Sequence, residues 1–594
     1  MCGIFGIISS KNENYLKQIV RIGSTSLKHR GPDGHGEFIG NSIGMANRRL
    51  SIIDLRLGKQ PMYSENGNLC IVFNGEIINH SSLRKQMEFE GENFKTNNSD
   101  TEVLLKLYEK EGEECLKKIN GFFSFAIWNK KEKELFIARD HLGIKPLYYT
   151  RYDNEIIFSS EVKSIINVFK FLKKNILLNK SLFNEYLVFG NIAGAGTLYK
   201  DIYELEAGTS VLIKDNKIRK KKYWNNFIDL NLHKNNNDIV EYVEENILNI
   251  FKEWTSSDVD LGILLSSGID SNLLYKILSI VKKPKIFTAK FEKSNNLFDE
   301  SAMLISKFKF NLNKKNIILI KNKSINDRLL SISEKMDFPL QNFNSMTFMA
   351  ICEHIKKTFG PKVIFTGDGA DEIFGGYERY FSISERFLKH KDKADLIFSH
   401  NISAIPRIKL FTTINKNDFK ERYKIFDRLK SKSVISKLIE YDQLTFLKGY
   451  LSRADEIGMM FGLEVRTPYL DHRLVNIINA LDSEYKILKT KEGKVIYKYL
   501  LRLICEKYLP NKMVWKKEKI KFNFPTYNMF YSGTYKEMYN QLITKDSNVS
   551  KYFDFKGLKK LLDLHNNEFE SKNDHSNTLS RILSLELWLR KNSK

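Results

Sequence analysis

The pattern of apolar residues changes character between Ile213 and Asp238, so the two halves of the chain call for different layer architectures. Before this stretch, runs such as Leu69-Cys70-Ile71-Val72-Phe73 and Phe122-Phe123-Ser124-Phe125-Ala126-Ile127-Trp128 read as strands of stacked sheets. After it, strand-like runs alternate with helical ones, which points to a parallel sheet flanked by helices. The stretch itself is polar, with Arg219-Lys220-Lys221-Lys222 and Lys234-Asn235-Asn236-Asn237-Asp238 breaking the apolar pattern as a linker does. A chain of 594 residues exceeds what one core supports, and 42% hydrophobic with 12% aromatic residues is enough for a core in each half. The expected division is residues 2–212, a linker at 213–238, and residues 239–594. Leu579 to Leu589 has apolar residues at helical spacing and is expected to be core. No internal repeat of solenoid length is present.

Cys2 follows the initiator methionine in Met1-Cys2-Gly3-Ile4-Phe5-Gly6-Ile7-Ile8. Removal of one residue leaves a cysteine that carries both a thiol, with an ordinary pKa of about 8.5, and an α-amine, near about 8. Such a residue is a nucleophile with its own base. Read alone, Cys2 is equally a small apolar residue opening a buried strand. Three polar clusters add chemistry for a substrate with an amino-acid head: Arg49-Leu50-Ser51-Ile52-Ile53, Asn74-Gly75-Glu76 and Ser99-Asp100. An arginine fork can bind an α-carboxylate bidentately, and an acid such as Asp100 can bind an α-ammonium. Asn74 and the Gly75 N–H can form an oxyanion hole for amide cleavage.

With His29-Arg30-Gly31-Pro32-Asp33 and the run Ala138-Arg139-Asp140-His141-Leu142-Gly143-Ile144-Lys145-Pro146-Leu147-Tyr148-Tyr149, this part of the chain resembles the class II glutamine amidotransferases. The resemblance implies an α+β N-terminal-nucleophile sandwich of stacked antiparallel sheets with helices, hydrolysing glutamine. It makes Cys2, Asn74 and Gly75 catalytic. Glutamine-binding residues would be Arg49, Leu50, Ser51, Ile52, Ile53, Asn74, Gly75, Glu76 and Asp100. Simpler readings stay open for the flanking residues: Arg30 and Asp33 as an ordinary turn around Gly31-Pro32, and Arg139-Asp140 as a surface ion pair.

A second site is marked where Val259-Asp260-Leu261-Gly262-Ile263-Leu264-Leu265 reads as a buried strand and Ser266-Ser267-Gly268-Ile269-Asp270-Ser271 as a polar turn leading into a helix. Outward N–H groups, a positive macrodipole and small side chains there favour an anion. The turn is not the Walker phosphate loop, which needs Gly-x-x-x-x-Gly-Lys-Ser/Thr. It resembles the pyrophosphate loop of ATP pyrophosphatases, although a serine-capped helix without ligand is the plainer reading. A second apolar strand, Val363-Ile364-Phe365, runs into Thr366-Gly367-Asp368-Gly369-Ala370-Asp371-Glu372. Carboxylates beside a phosphate loop suggest Mg²⁺ held by Asp270 and Asp371 together with nucleotide phosphates, with Asp368 left for the substrate end.

Together with Leu463-Glu464-Val465-Arg466-Thr467-Pro468-Tyr469-Leu470-Asp471 and Gly493-Lys494-Val495-Ile496, this half resembles the synthetase domain of glutamine-hydrolysing asparagine synthetases. The resemblance implies an α/β parallel-sheet ATP-pyrophosphatase domain. In that family a carboxylate is adenylated by ATP, and ammonia from glutamine then displaces AMP to give an amide. Carried over, Ser266, Ser267, Gly268, Asp270 and Ser271 bind ATP at its pyrophosphate, and Leu265, Ala289, Thr366 and Gly367 lie near the nucleotide. Lys494 would be the catalytic cation, although a solvated helix lysine is the alternative. Aspartate is the favoured acceptor.

Three departures bear on the acceptor. Ser267 stands where the family usually has glycine, Asp368 where it has glutamate, and Lys517-Glu518-Lys519-Ile520-Lys521-Phe522-Asn523-Phe524-Pro525 where it often shows Arg-Pro-Lys and a glycine. They leave room for a sugar (uronic) acid of a surface polysaccharide as acceptor, and Ser267 and Asp368 leave room for a synthetase half kept only to bind a partner. Ring-closing relatives lack the N-terminal nucleophile, which Cys2, Arg49, Asn74 and Asp100 supply here.

A net charge of +24 raises a nucleic-acid-binding role, but the lysines are scattered and no binding module appears, so no nucleic-acid partner is expected. No apolar run is long enough to span a bilayer and no signal-peptide core opens the chain, so no membrane partner is expected. Five cysteines without a Cys-x-x-Cys pair suit a reducing compartment and argue against zinc, which places the protein in the cytoplasm. Oligomeric state is left open, a homodimer included. An internal channel for ammonia is expected, because ammonia released into water protonates and diffuses away.

Overall fold

The computed structural model describes residues 2–226, 236–291, 304–305, 312, 316–320, 325–358, 360–515, 526–531, 533–567 and 574–592. The first part holds the strands β1 (Cys2–Ile8), β2 (Gly34–Ile39), β3 (Ile43–Arg49), β4 (Met62–Tyr63), β5 (Leu69–Ile77) and β6 (Gly121–Asn129). It continues with β7 (Glu134–Arg139), β8 (Tyr148–Tyr152), β9 (Glu155–Ser159), β10 (Ile202–Glu204), β11 (Thr209–Lys214) and β12 (Lys217–Lys222). They form two 6-stranded sheets, ordered β10-β8-β9-β1-β3-β2 and β12-β11-β7-β6-β5-β4. The pairings about β1 and β5 are antiparallel.

The uninterrupted apolar run of β1 follows from burial on both faces. Ile4 packs between the sheets with Ile43, Met45, Val72, Ala126 and Ile137. Phe5 and Ile7 point the other way, onto Leu16, Ile19 and Val20 of the helix Glu13–Thr25. Helices His80–Phe89 and Asp100–Glu111 cover the outer face of the second sheet through Leu83, Met87, Val103 and Leu107. The expected sandwich of stacked antiparallel sheets with helices is therefore present.

The expected linker start at 213 falls inside this sandwich. Ile213 lies in β11 and is buried between the sheets. The basic run that reads as a linker is the edge strand β12, exposed along its whole length, where charge keeps the unpaired edge from adding another chain. Lys234 and Asn235 lie outside the described residues, and Asn236 already belongs to the helix Asn236–Glu253.

The second part contains β13 (Leu261–Leu264), β14 (Lys285–Phe291), β15 (Ile317–Ile320), β16 (Val363–Phe365) and β17 (Glu464–Arg466), ordered β15-β14-β13-β16-β17. All four pairings are parallel, as expected. The hairpin of β18 (Ile487–Lys489) and β19 (Val495–Tyr497) stands apart. The strand order reverses at β13, and the carboxyl end of such a strand is where open α/β sheets leave a crevice for ligands.

The two parts share their cores. Tyr186, Leu187 and Tyr199 pack in one apolar cluster with Phe287, Leu340 and Trp588. A second cluster joins Leu50, Ile52 and Phe122 to Trp254, Leu261 and Phe365. The closing helix Ser576–Asn592 buries Leu579, Ile582, Leu583 and Leu589, as its spacing predicts. Among the described residues no helix is long and apolar enough to cross a membrane. The segment Lys517 to Pro525 lies outside them.

Candidate functional site

Antiparallel pairing sets Cys2 directly opposite Arg49, and β5 brings Asn74 alongside. Asn74 Oδ1 accepts the Cys2 N–H at 2.9 Å. Cys2, Arg49, Leu50, Ile52, Ile53, Gly75, Glu76 and Asp100 line one small open cavity. Ser51 does not line it; the Ser51 N–H donates instead to Asp33 Oδ2 at 2.8 Å. Gly75 sits at φ 148°, and a Cβ there would lie 2.0 Å from the Phe122 carbonyl oxygen, so only glycine fits at this point of the cavity wall.

The Arg49 guanidinium shapes the wall of the pocket. It donates to the carbonyls of Ile53 at 3.0 Å, Asp54 at 2.7 Å and Leu55 at 3.3 Å. Two carboxylates face the cavity from buried positions. Burial raises the Asp100 pKa against the pull of His80, and its Oδ2 accepts the Ile77 N–H at 3.1 Å. Burial pushes Glu76 well above the ordinary carboxylate range against the pull of Arg466, which donates to Oε2; Oε1 is buried without a hydrogen-bond partner. Buried carboxylates of this kind gain most from a cationic ligand such as an α-ammonium.

Sequence reasoning missed Gly58, Gln60, Phe73 and Thr101 in this wall. Gln60 Oε1 accepts from Asn47 Nδ2 at 2.9 Å and from the Phe73 N–H at 2.7 Å, a long-range role with no local signature. For Arg30, Arg139 and Asp140 the simpler readings give way. Arg30 is fully buried, donating to the Cys2 carbonyl at 3.1 Å, Glu161 at 2.9 Å and Asp455 of the second part at 2.8 Å. Arg139 and Asp140 are not a surface pair: both are buried, and Asp140 accepts the N–H groups of Leu142, Ile144 and Lys145.

The second site lies at the carboxyl end of β13, where the strand order reverses. Ser266 Oγ and Ser271 Oγ stand 3.0 Å apart, and Asn272 Nδ2 donates to the carbonyls of Ser266 at 2.8 Å and Gly268 at 2.6 Å, fixing the turn. Ser267 is not among the residues with positive φ, so this position does not require the glycine of relatives. Leu265 donates its N–H to Phe287 at 2.8 Å, and Ala289 is buried in neighbouring β14. A Cβ on Gly367 would lie 3.2 Å from the Ser271 nitrogen, so the loop after β16 abuts the turn. In that loop Thr366 Oγ1 donates to Asp368 Oδ2 at 2.9 Å.

Asp270 and Asp371 meet around one cation. Lys498 Nζ lies 2.7 and 2.6 Å from the two Asp270 oxygens and 2.7 Å from Asp371 Oδ1. Burial alone would lower the Lys498 pKa, but the two carboxylates outweigh it and hold the ammonium above the ordinary lysine range. Lys494, the lysine expected here, is exposed in the turn that joins β18 to β19, its N–H bonded to Thr490 Oγ1. The chain turns inward only at Lys498, which takes a left-handed φ of 55° ahead of the helix Tyr499–Cys505.

The oxygen donors of Asp270 and Asp371, gathered about one positive charge, fit Mg²⁺ completed by nucleotide phosphates. Among the described residues no group of three or more His, Cys, Asp or Glu forms a cage for a metal. Beside them, burial and the Asp371 charge raise Glu372 to about 7, and Tyr377 donates to it at 2.6 Å.

Comparison with known proteins places these two sites in context. The family described as glutamine amidotransferase domain matches residues 1–224, and that described as asparagine synthase matches residues 243–590. The chain is 30% identical over 641 aligned positions to asparagine synthetase [glutamine-hydrolyzing] 1 of Bacillus subtilis, covering 99% of this chain and 96% of that protein. It is 25% identical to asparagine synthetase B [glutamine-hydrolyzing] of Escherichia coli, covering 87% and 81%. Amidase chry2 of Gibberella zeae is also 25% identical, covering 92% of each. Matched along nearly its whole length by both family models and by a relative at 30% identity, this protein belongs to the glutamine-hydrolysing asparagine synthetase family of ligases.

Proposed function

We propose that this chain makes asparagine, passing the amide nitrogen of glutamine to aspartate while ATP is split into AMP and pyrophosphate. The observation that carries this reading is the gathering of Cys2, Gly75, Glu76 and Asp100 about one cavity, with Asn74 bonded to the Cys2 N–H, on the same chain as Lys498 between Asp270 and Asp371. Glutamine binds with its α-ammonium toward Glu76 and Asp100 and its α-carboxylate toward Arg49. The Cys2 thiolate attacks the amide carbon, Asn74 and the Gly75 N–H hold the oxyanion, and ammonia leaves. Water then releases glutamate from the thioester.

At the second site an aspartate oxygen attacks the α-phosphorus of ATP, and the bond to pyrophosphate breaks. Ser266, Ser267, Gly268 and Ser271 cradle the departing pyrophosphate, and the Lys498 ammonium stabilises its charge. Mg²⁺ held by Asp270 and Asp371 would supply further charge neutralisation there. Ammonia attacks the acyl carbon, AMP leaves, and the surplus proton passes to solvent or to Asp368. Ammonia crosses between the sites inside the protein, in the cytoplasm. The division falls between residues 222 and 236.

The test is pyrophosphate release from ATP with glutamine and Mg²⁺, across aspartate and a panel of uronic acids. Release with aspartate and formation of asparagine is expected. Silence with aspartate and turnover of a uronic acid would make this a sugar-acid amidotransferase. Glutamine hydrolysis with no ATP-dependent product would leave the second part as a partner-binding domain.

A further inference from the structure

The wall of the glutamine cavity is pinned from across the chain by a residue that touches neither substrate. Ile53 to Leu55, whose carbonyls hold Arg49, continues from Ile52 in the cavity wall. Asp54 is the hub of this loop. It lies at φ 44°, a left-handed backbone that aspartate tolerates by bonding locally, and its Oδ1 accepts the Leu57 N–H at 2.9 Å. Its Oδ2 accepts the N–H groups of Asn97 at 3.0 Å and Asn98 at 3.2 Å, tying the loop to the segment that leads into Ser99 and Asp100.

What fixes the hub is Asp258, in the segment before β13. Asp258 Oδ2 accepts the Asp54 N–H at 2.8 Å, its Oδ1 accepts Asn98 Nδ2 at 3.2 Å, and its own N–H donates to the Ile52 carbonyl at 3.0 Å. The base of Asp258 is itself held, because Arg466 donates to the Ser256 carbonyl at 2.7 Å while reaching Glu76 of the same cavity. We propose that Asp258 is a positioning residue for glutamine: it latches the Ile52–Asp54 loop and Asn98 so that both walls of the cavity stand ready before glutamine arrives. The synthetase part thereby completes a pocket that the glutaminase part does not hold closed alone. This rests on the cavity being the glutamine site.

Asp258 is exposed, so its replacement leaves the core intact. The experiment compares Asp258→Ala and Asp258→Asn with the parent in the full chain, measuring KM and kcat for glutamine hydrolysis and, separately, pyrophosphate release driven by ammonia. Asp258→Ala is expected to raise KM for glutamine about five- to ten-fold, the size of one solvent-accessible bond to a charged acceptor, with kcat little changed. Asp258→Asn keeps an acceptor oxygen for the Asp54 N–H and is expected to recover most of the loss. Ammonia-driven release stays at the parent level in both. An unchanged KM in Asp258→Ala would overturn the latch, as would an equal fall of ammonia-driven release, which would assign Asp258 to the synthetase fold. A parent chain that hydrolyses no glutamine would instead refute the reading of the cavity.

Discussion

Two lysines four residues apart separate what the sequence suggests from what the structure assembles, and replacing each with methionine distinguishes them. Lys498 Nζ lies 2.7 Å from Asp371 Oδ1 and 2.6 Å from Asp270 Oδ2. At an effective dielectric of about 20, each such contact carries about 6 kcal/mol of attraction, much of it offset by the cost of burying the ions. The part that matters for rate is the charge presented to the departing pyrophosphate. Removing one preorganised donor of this kind typically costs about 3–4 kcal/mol at the transition state, a loss of about 10²–10³-fold in kcat. Lys498→Met should therefore lower ammonia-driven pyrophosphate release by that factor and leave glutamine hydrolysis within about two-fold of the parent, since no atom of the Cys2 cavity is touched. Lys494→Met, on an exposed hairpin, should change neither rate by more than about two-fold. Both variants are assayed at saturating ATP and aspartate, with melting midpoints confirming folded protein. Loss of release in Lys494→Met together with retention in Lys498→Met would refute the assignment.

Cys2→Ala should abolish glutamine use and leave ammonia-dependent synthesis in place; equal loss of both would undo the division of labour. Arg466→Met strands Glu76 and Glu464 as buried carboxylates, and the expected cost is about 3–5 kcal/mol, seen as a lowered melting midpoint together with loss of glutamine hydrolysis. Lys486 gives a pH test. Burial lowers its pKa to about 7 in the fold, against a partial pull from Asp482, while the unfolded chain keeps an ordinary lysine. Because the folded value is depressed, the unfolded state binds the proton first. Stability is therefore lost as pH falls from about 10 to about 7, and the loss is complete below that. Lys486→Met should melt higher than the parent at pH 7, by on the order of 2 kcal/mol after the lost bond to the Leu481 carbonyl, and no higher at pH 10. A difference independent of pH would refute the depressed value.

The residues that line the Cys2 cavity were legible because most of them lie at or near strand ends and read locally. Arg49 closes β3 and antiparallel registration sets it opposite Cys2, while Asn74 and Gly75 lie near the end of β5 in the facing sheet, from which Asn74 reaches the Cys2 N–H. The parallel sheet and the turn after β13 were legible for the same reason, each being a strand followed by small polar residues. Lys498 was not, since its partners Asp270 and Asp371 are distant in sequence and the inward turn depends on one left-handed residue. Gln60, Asp54 and Asp258 act through backbone groups of other segments, and no side-chain spacing reports that. The linker was placed too early because a basic edge strand and a basic linker have the same composition.

The shared cores set a limit on how this chain could ever be divided. A cut in the stretch after β12 would leave Tyr186, Leu187 and Tyr199 on one fragment and Phe287, Leu340 and Trp588 on the other, each set shorn of its packing. The second cluster would split likewise, between Leu50, Ile52 and Phe122 on one side and Trp254 and Leu261 on the other. Fragments with such faces stick to themselves and to each other, so a gene broken at this point would yield insoluble halves unless both were made together. The two parts of this chain are therefore held together by packed side chains, and the stretch that joins them in sequence is the lesser bond.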